Sequence, residues 1–354
     1  MRLQLTVLFA LSRAVHAEPL DAPGARAGLH VYADDDHVTV VSPSASVRVD
    51  LSPRLAVSSD ATVDAVSAAS VDVLTSASPH EVHEERIELG VAASYRQGRA
   101  TWWTLGLRGS HENDYDALRV RAGAKTEVAQ RNTTLQLDYV LGLDDAGSVM
   151  DPAAGGSRTT HQLVLGASQL LSRRAIVDVL VDLARADGYH ASPYRDVLVD
   201  VVGSPLPMRV AEATPSLRHS AAVATRVRVA PSRAWATSAT YRLYLDSWSV
   251  TSHTVTAELH RSAGPVLLGI AVRGYAQSAA SFYAARYAGE PRYRTRDRTL
   301  GAMQSAYGAV TLEAPIAGWQ VIASAGVLRL WFRDFPAQAD RDALLMFGSV
   351  VRGW

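Results

Sequence analysis

From about residue 36 to the end of the chain, apolar and polar side chains alternate with a period of two, in segments of about 10 to 13 residues. A period of 3.6 is almost absent, so the chain is committed to sheet, with one apolar and one polar face on every strand. Between Glu85 and Arg96, for example, Ile87, Leu89, Val91, Ala93 and Tyr95 share one face, and Arg86, Glu88, Gly90, Ser94 and Arg96 share the other. The same division runs through Thr134 to Asp144 and Trp235 to Asp246.

A soluble sandwich also alternates, because one face of each sheet meets the core and the other meets water. The punctuation separates the two architectures. Very short turns at Ser52-Pro53-Arg54, Gln97-Gly98-Arg99, Gln130-Arg131-Asn132, Ser172-Arg173-Arg174, Pro231-Ser232-Arg233 and Ala263-Gly264 alternate with longer loops at about 65–84, 144–158, 187–216 and 278–302. Short turns at one end and long loops at the other are how outer-membrane barrels are built. The expected fold is therefore all-β, a transmembrane antiparallel up-and-down β-barrel. Fifteen alternating segments can be counted, beginning with 45–51 and 55–64 and ending with 342–354. Closure calls for an even number, so a further short strand is predicted within 28–41, giving sixteen, with fourteen as the alternative. Trp102, Trp103, Tyr139, Trp235, Trp248, Trp319 and Trp331 fall near strand ends and suit interfacial girdles.

Composition narrows the function classes. Thirty-five Lys and Arg balance thirty-five Asp and Glu, which argues against nucleic acid as a partner, since neutralising phosphates needs a basic excess. The absence of cysteine rules out disulfides, thiolate chemistry and a lipidated N-terminal Cys. Met1-Arg2, an apolar stretch from Leu3 to Leu11 and Val15-His16-Ala17 resemble a secretory signal, which predicts a signal peptide over 1–17 and a barrel domain over 18–354 in a Gram-negative cell outer membrane. The lipid of that membrane and the barrel-insertion machinery are the expected partners. The phase Leu344, Met346, Gly348, Val350 before Trp354 resembles the terminal strand that machinery recognises, with Arg352 out of pattern.

Three stretches resemble a known family. Val63 to Pro79 with Glu84-Glu85-Arg86, then Tyr241 to Trp248 with Ser252-His253-Thr254, then Arg273 to Tyr283, are similar to motifs of the domain-of-unknown-function family three-five-seven-zero, predicted Gram-negative outer-membrane barrels. The resemblance covers nearly the whole barrel domain and implies fold and location without a substrate. Its members are often encoded near a thioredoxin-like protein and a flavin transferase, which implies a periplasmic redox partner.

The polar strand faces, inward in such a barrel, carry both signs. Arg86, Glu88, Arg108, Arg119, Arg121, Asp138, Asp178, Asp182, Arg226, Arg228, Arg242, Asp246, Glu258 and Arg273 are the candidate lumen residues, acting either to select ions in an aqueous pore or as a salt-bridge lattice stiffening a closed one. Asp64 and Asp72 lie in a long segment that would fold inward as a constriction or plug, or stay outside as a surface loop. Asp34-Asp35-Asp36 is the one weak calcium candidate and otherwise a solvated turn. Asp246, Ser247, Ser249, Ser252 and His253 form the best hydrolase constellation, although alternation turns His253 and Ser252 to opposite sides. No phosphate-cradling loop, dinucleotide fingerprint or zinc motif is present, so no cofactor is expected. The leading expectation is a channel or transport conduit with a charged lumen. A non-conducting scaffold for an envelope redox partner is the alternative and a barrel-embedded hydrolase the third.

Overall fold

The structure is a computed structural model that describes Leu20, Asp151 and residues 22–68, 82–149, 153–335 and 338–354. The segment 1–17, read as a signal peptide, lies outside the described residues, as does Asp72. The strands run in the order β1 (Gly24–Asp34), β2 (Val38–Ser52), β3 (Leu55–Ala68), β4 (Val82–Gln97), β5 (Thr101–Glu112), β6 (Tyr115–Val128), β7 (Thr133–Ala146), β8 (Gly156–Ser172) and β9 (Ala175–Gly188). A small hairpin, β10 (Asp196–Val199) and β11 (Met208–Ala211), precedes β12 (Leu217–Val229), β13 (Trp235–Asp246), β14 (Thr251–Ala263), β15 (Val266–Gln277), β16 (Met303–Ile316), β17 (Trp319–Phe332) and β18 (Asp340–Gly353).

Every wall strand pairs antiparallel with its neighbours, β9 pairs with β12 because the hairpin stands outside the wall, and β1 closes on β18 from Gly24↔Gly353 to Asp34↔Ala343. The result is a closed barrel of sixteen strands. Closure is obligatory in lipid, where an open edge would leave backbone N–H and C=O groups without partners. The outward positions form an apolar belt, with Leu89, Leu105 and Val327 each about 60% exposed to their surroundings. Such a belt is stable only against hydrocarbon. The molecule is an outer-membrane β-barrel. Glycines with left-handed backbone, Gly98 (φ 66°) and Gly264 (φ 64°), make two of the tight turns.

The sixteenth strand differs in place from the sequence reading. β1 starts at Gly24, and β2 starts at Val38 rather than 45. The turn between them is made by the acidic run itself: the Asp34 carboxylate accepts hydrogen bonds from the backbone N–H groups of Asp36 (3.0 Å) and Val38 (2.8 Å). Asp64 is also relocated. β3 continues to Ala68, so Asp64 stands on the barrel wall; the rest of that predicted segment, 69–81, lies outside the described residues. Two predicted girdle aromatics are not girdle. Trp102 faces the lumen between Arg96 and Lys125, and Trp248 is buried with Val250, Ala280 and Leu300.

Sixteen strands enclose more space than wall side chains can fill. One side of the interior is nonetheless packed: Tyr32, Val40, Val66, Leu328, Leu330 and Leu345 of β1–β3, β17 and β18 form an apolar cluster with Met303, Phe332 and Phe335. These inward positions break the polar-inside rule of an open porin. They leave the lumen free only along the opposite wall.

Candidate functional site: the lumen and its cap

Strand register places all fourteen predicted lumen residues on the inner face, because inner and outer positions alternate and pair across every ladder. They do not converge on one point; they form cross-strand ion pairs around the wall. Arg86 holds Asp64 at 2.6 Å, and Arg108 bridges Glu88 and Asp60, the latter at 2.9 Å. Arg121 pairs with Asp138 (2.8 Å), Arg158 with Asp144 (2.8 Å) and Arg218 with Asp246 (2.5 Å). Asp178 binds both Arg226 and Arg228 at 3.0 Å, and Asp182 accepts from Gln162 at 3.0 Å. Arg119 stands opposite Arg108 in register.

The open half is a cavity of about 1020 Å³. Its lining carries six cationic side chains, Lys125, Arg218, Arg226, Arg228, Arg242 and Arg273, against two carboxylates, Asp178 and Glu258. Glu258 accepts from Ser238 Oγ at 2.6 Å. Arg242 forms no ion pair with a described residue and lies over the Tyr244 ring at 5.4 Å; Arg273 lies over Tyr275 at 5.9 Å.

The cavity is roofed at the long-loop end. The loops 189–216 and 278–302 are tied into one cap by Tyr287 N–H donating to Leu198 (2.9 Å), reciprocal backbone bonds between Ala213 and Arg294, and Arg195, which reaches both Asp297 (3.1 Å) and Glu212 (3.4 Å). Asp297 also accepts from the Thr299 N–H at 2.9 Å, capping a short 3-10 turn, Arg298–Leu300, that enters the barrel. Arg298 is 1% exposed. It pairs with Asp36 at 2.7 Å, lies 5.0 Å over the Phe332 ring and bonds Gln338. Gln277 of β15 donates to the carbonyls of Thr299 and Gly301, both at 2.8 Å, and Thr299 and Leu300 line the cavity. Outside the membrane span, burial followed by the nearby Arg158 charge pushes the His190 imidazole down to about 4, and burial raises Glu212 against the opposing pull of Arg195.

The acidic run is engaged by this cap. Asp36 is shared between Arg298 and Arg341 (2.5 Å), Asp34 takes Arg341 (3.3 Å) and the Tyr32 hydroxyl (2.8 Å), and Asp35 caps the Asp342 N–H (3.0 Å). Among the described residues no group of three metal-ligating side chains converges. The hydrolase constellation is also dispersed: Asp246 is occupied by Arg218, Tyr244 and the N–H groups of Trp248 and Val250, while His253 points outward to the Tyr241 hydroxyl at 2.8 Å. Sequence reasoning missed Arg298, Asp297, Glu212 and Tyr287, because nothing in a long loop marks which residues dock. The one available signal was Asp297-Arg298-Thr299, an Asp-x-Thr pattern that caps a helical turn.

A family model described as "Protein of unknown function (DUF3570)" matches residues 68–148 and 146–326, more than half of the chain. The chain belongs to the DUF3570 family. No curated protein matches its sequence. Among solved structures, the DUF3570 barrel is similar to a bacterial polysaccharide outer membrane secretin, at 9% identity and a TM-score of 0.53, over 93% of this chain and 98% of that one. It is also similar to OccK1 (OpdK) of Pseudomonas aeruginosa (9% identity, 94% and 98% covered, TM-score 0.47). A third similar structure is the siderophore receptor PirA of Pseudomonas aeruginosa (9% identity, TM-score 0.47), where 88% of this chain spans 57% of the receptor's length. At 9% identity the likeness to the secretin is one of fold.

Proposed function

We propose that this DUF3570 barrel is a gated conduit across the outer membrane that prefers anionic solutes. The observation that carries the reading is the cavity of about 1020 Å³ with six cationic lining side chains against two carboxylates. Charges facing a narrow aqueous path set the local counter-ion concentration, and the low-dielectric wall strengthens the effect. Asp178 offsets Arg226 and Arg228, and Asp246 offsets Arg218, so the selecting charge falls to Lys125 and Arg242, with the Tyr244 ring supplying flat apolar surface beside it. The cap built from loops 189–216 and 278–302 is the gate, because it roofs the cavity and is held by contacts between loops and wall that can separate without opening a wall ladder.

The test is a planar bilayer with a salt gradient across it. Wild-type protein is expected to give stepwise conductance with an anion-selective reversal potential, and Arg242→Glu to shift that potential toward cations. A cation-selective wild type, or silence from protein shown to be folded by its heat-modifiable migration, overturns the reading.

A further inference from the structure

The ends of the barrel differ in how their charges are satisfied. At the long-loop end, the outward arginines of the wall strands pair within the protein: Arg329 with Asp340 (2.6 Å) and Asp342 (3.3 Å), and Arg185 with Asp187 (3.3 Å). At the short-turn end, which faces the periplasm in barrels of this build, they do not. Arg54, Arg99, Arg131, Arg173, Arg174 and Arg233 stand in the turns, and Arg261 and Arg352 point outward from the ends of β14 and β18. Of these eight, only Arg131 has an ion-pair partner among the described residues, Glu127 at 3.3 Å. No acidic side chain occurs among the described turn residues at this end, and the nearby carboxylates Asp50, Glu127 and Glu313 lie on inward-facing positions.

We infer that this rim is a binding site for the phosphate headgroups of anionic phospholipids in the adjoining leaflet. Distribution is the first argument. All seven short turns carry an arginine or have one beside them: five through their own residues, the β14–β15 turn through Arg261, and the β16–β17 turn through Arg352 on the neighbouring strand. A protein partner docks on one face of a rim, whereas a leaflet surrounds it. Height is the second. Arg261 lies 5.3 Å over the Trp235 ring and Arg352 5.3 Å over the Trp319 ring, and both tryptophans are more than a third exposed on the outer surface. Tryptophan settles at the headgroup level of a bilayer, which puts these guanidinium groups beside the lipid phosphates they can bind in bidentate fashion. Charge is the third, since a zwitterionic headgroup brings its own cation and leaves the ring uncompensated, while phosphatidylglycerol does not. Arg352, out of phase in the apolar pattern of the last strand, is thereby explained.

The full chain is reconstituted in equimolar phosphatidylcholine and phosphatidylglycerol and released into detergent, and the lipids that stay bound are counted by native mass spectrometry. Wild-type protein is expected to retain phosphatidylglycerol in excess. R261Q/R352Q should lose that preference by about fivefold per arginine removed, with heat modifiability unchanged, while R185Q/R329Q at the opposite end should leave it intact. Equal retention of the two lipids by the wild type, or equal losses in the two variants, overturns the inference. Retention of a polyglutamate peptide without any preference between the lipids would overturn it in favour of an acidic polypeptide partner. Conduction enters none of these readouts, so failure here and failure of the proposed conduit are separable.

Discussion

Replacing Arg298 by Met tests whether the cap is held shut by a buried ion pair. Arg298 is 1% exposed, its charge is offset by Asp36, itself 3% exposed, and its guanidinium is sandwiched near Phe332 and Phe335. Removing one partner of a buried pair costs about 3–5 kcal/mol, chiefly because the other charge is stranded. Here Arg341 remains 2.5 Å from Asp36, so the lower end applies, about 3 kcal/mol, and Met keeps much of the apolar contact with the rings. At about 1.4 kcal/mol per decade, cap opening becomes about 150-fold more frequent. Hydrogen exchange read by mass spectrometry on a peptide containing Leu300 and Gly301, whose N–H groups donate to Asp297 and Arg298 in the closed cap, should accelerate by that factor while the wall strands stay protected. The Asp36→Asn, Arg298→Met double variant removes both charges and should recover most of the protection. Acceleration of less than about fivefold in the single variant, or loss of protection in β17 and β18 as well, would refute the argument.

Two further outcomes follow from the wall and the cap. Arg108→Leu leaves Asp60 and Glu88 facing each other without their shared cation; since the arginine is a quarter exposed, the cost is discounted to about 2 kcal/mol, read as a lower urea midpoint of the refolded barrel, and Glu88→Gln in the same chain should restore part of it. Acidification should loosen the cap at its entry. His190 packs edge-on against Trp248 at 5.2 Å, and its imidazole is held down at about 4, so cap docking is strongest above about pH 6.5, the ordinary histidine value, and weakens as the pH falls toward 4. Partial exposure limits the effect to about 1–2 kcal/mol. Glu212, raised by burial, works with the opposite sign, favouring the cap at low pH and losing that contribution as the pH rises through its shifted value. Exchange rates in the 189–196 segment, corrected for intrinsic pH dependence, should therefore lose their acid-side rise in His190→Gln; an unchanged profile would show that His190 is not responsible.

The period-two pattern by itself determined the fold. It makes one face of each strand apolar, and the alternation of short turns with long loops makes neighbours antiparallel, so closure in lipid leaves little else for sixteen strands to do. Facing was likewise legible: Arg86, Asp138, Arg226, Arg242 and the other candidate residues all point inward, because a register slip of one would turn every apolar side chain into the lumen. Position along a strand and partnership across strands were not. Alternation is blind to inner apolar residues such as Tyr32, Leu328 and Leu345, and Tyr32, some three hundred residues before the other two, meets them only when β1 pairs with β18. It is equally silent about loops, where docking depends on contacts hundreds of residues apart, such as Arg298 with Asp36 and Arg341 with Asp36. The sequence therefore decided that there is a barrel and which residues face its interior. Only the tertiary structure decided that half of that interior is packed, that the other half is a basic cavity, and that a buried arginine bolts the cap above it. Periodicity is a local property, whereas those three features arise from closure of the sheet.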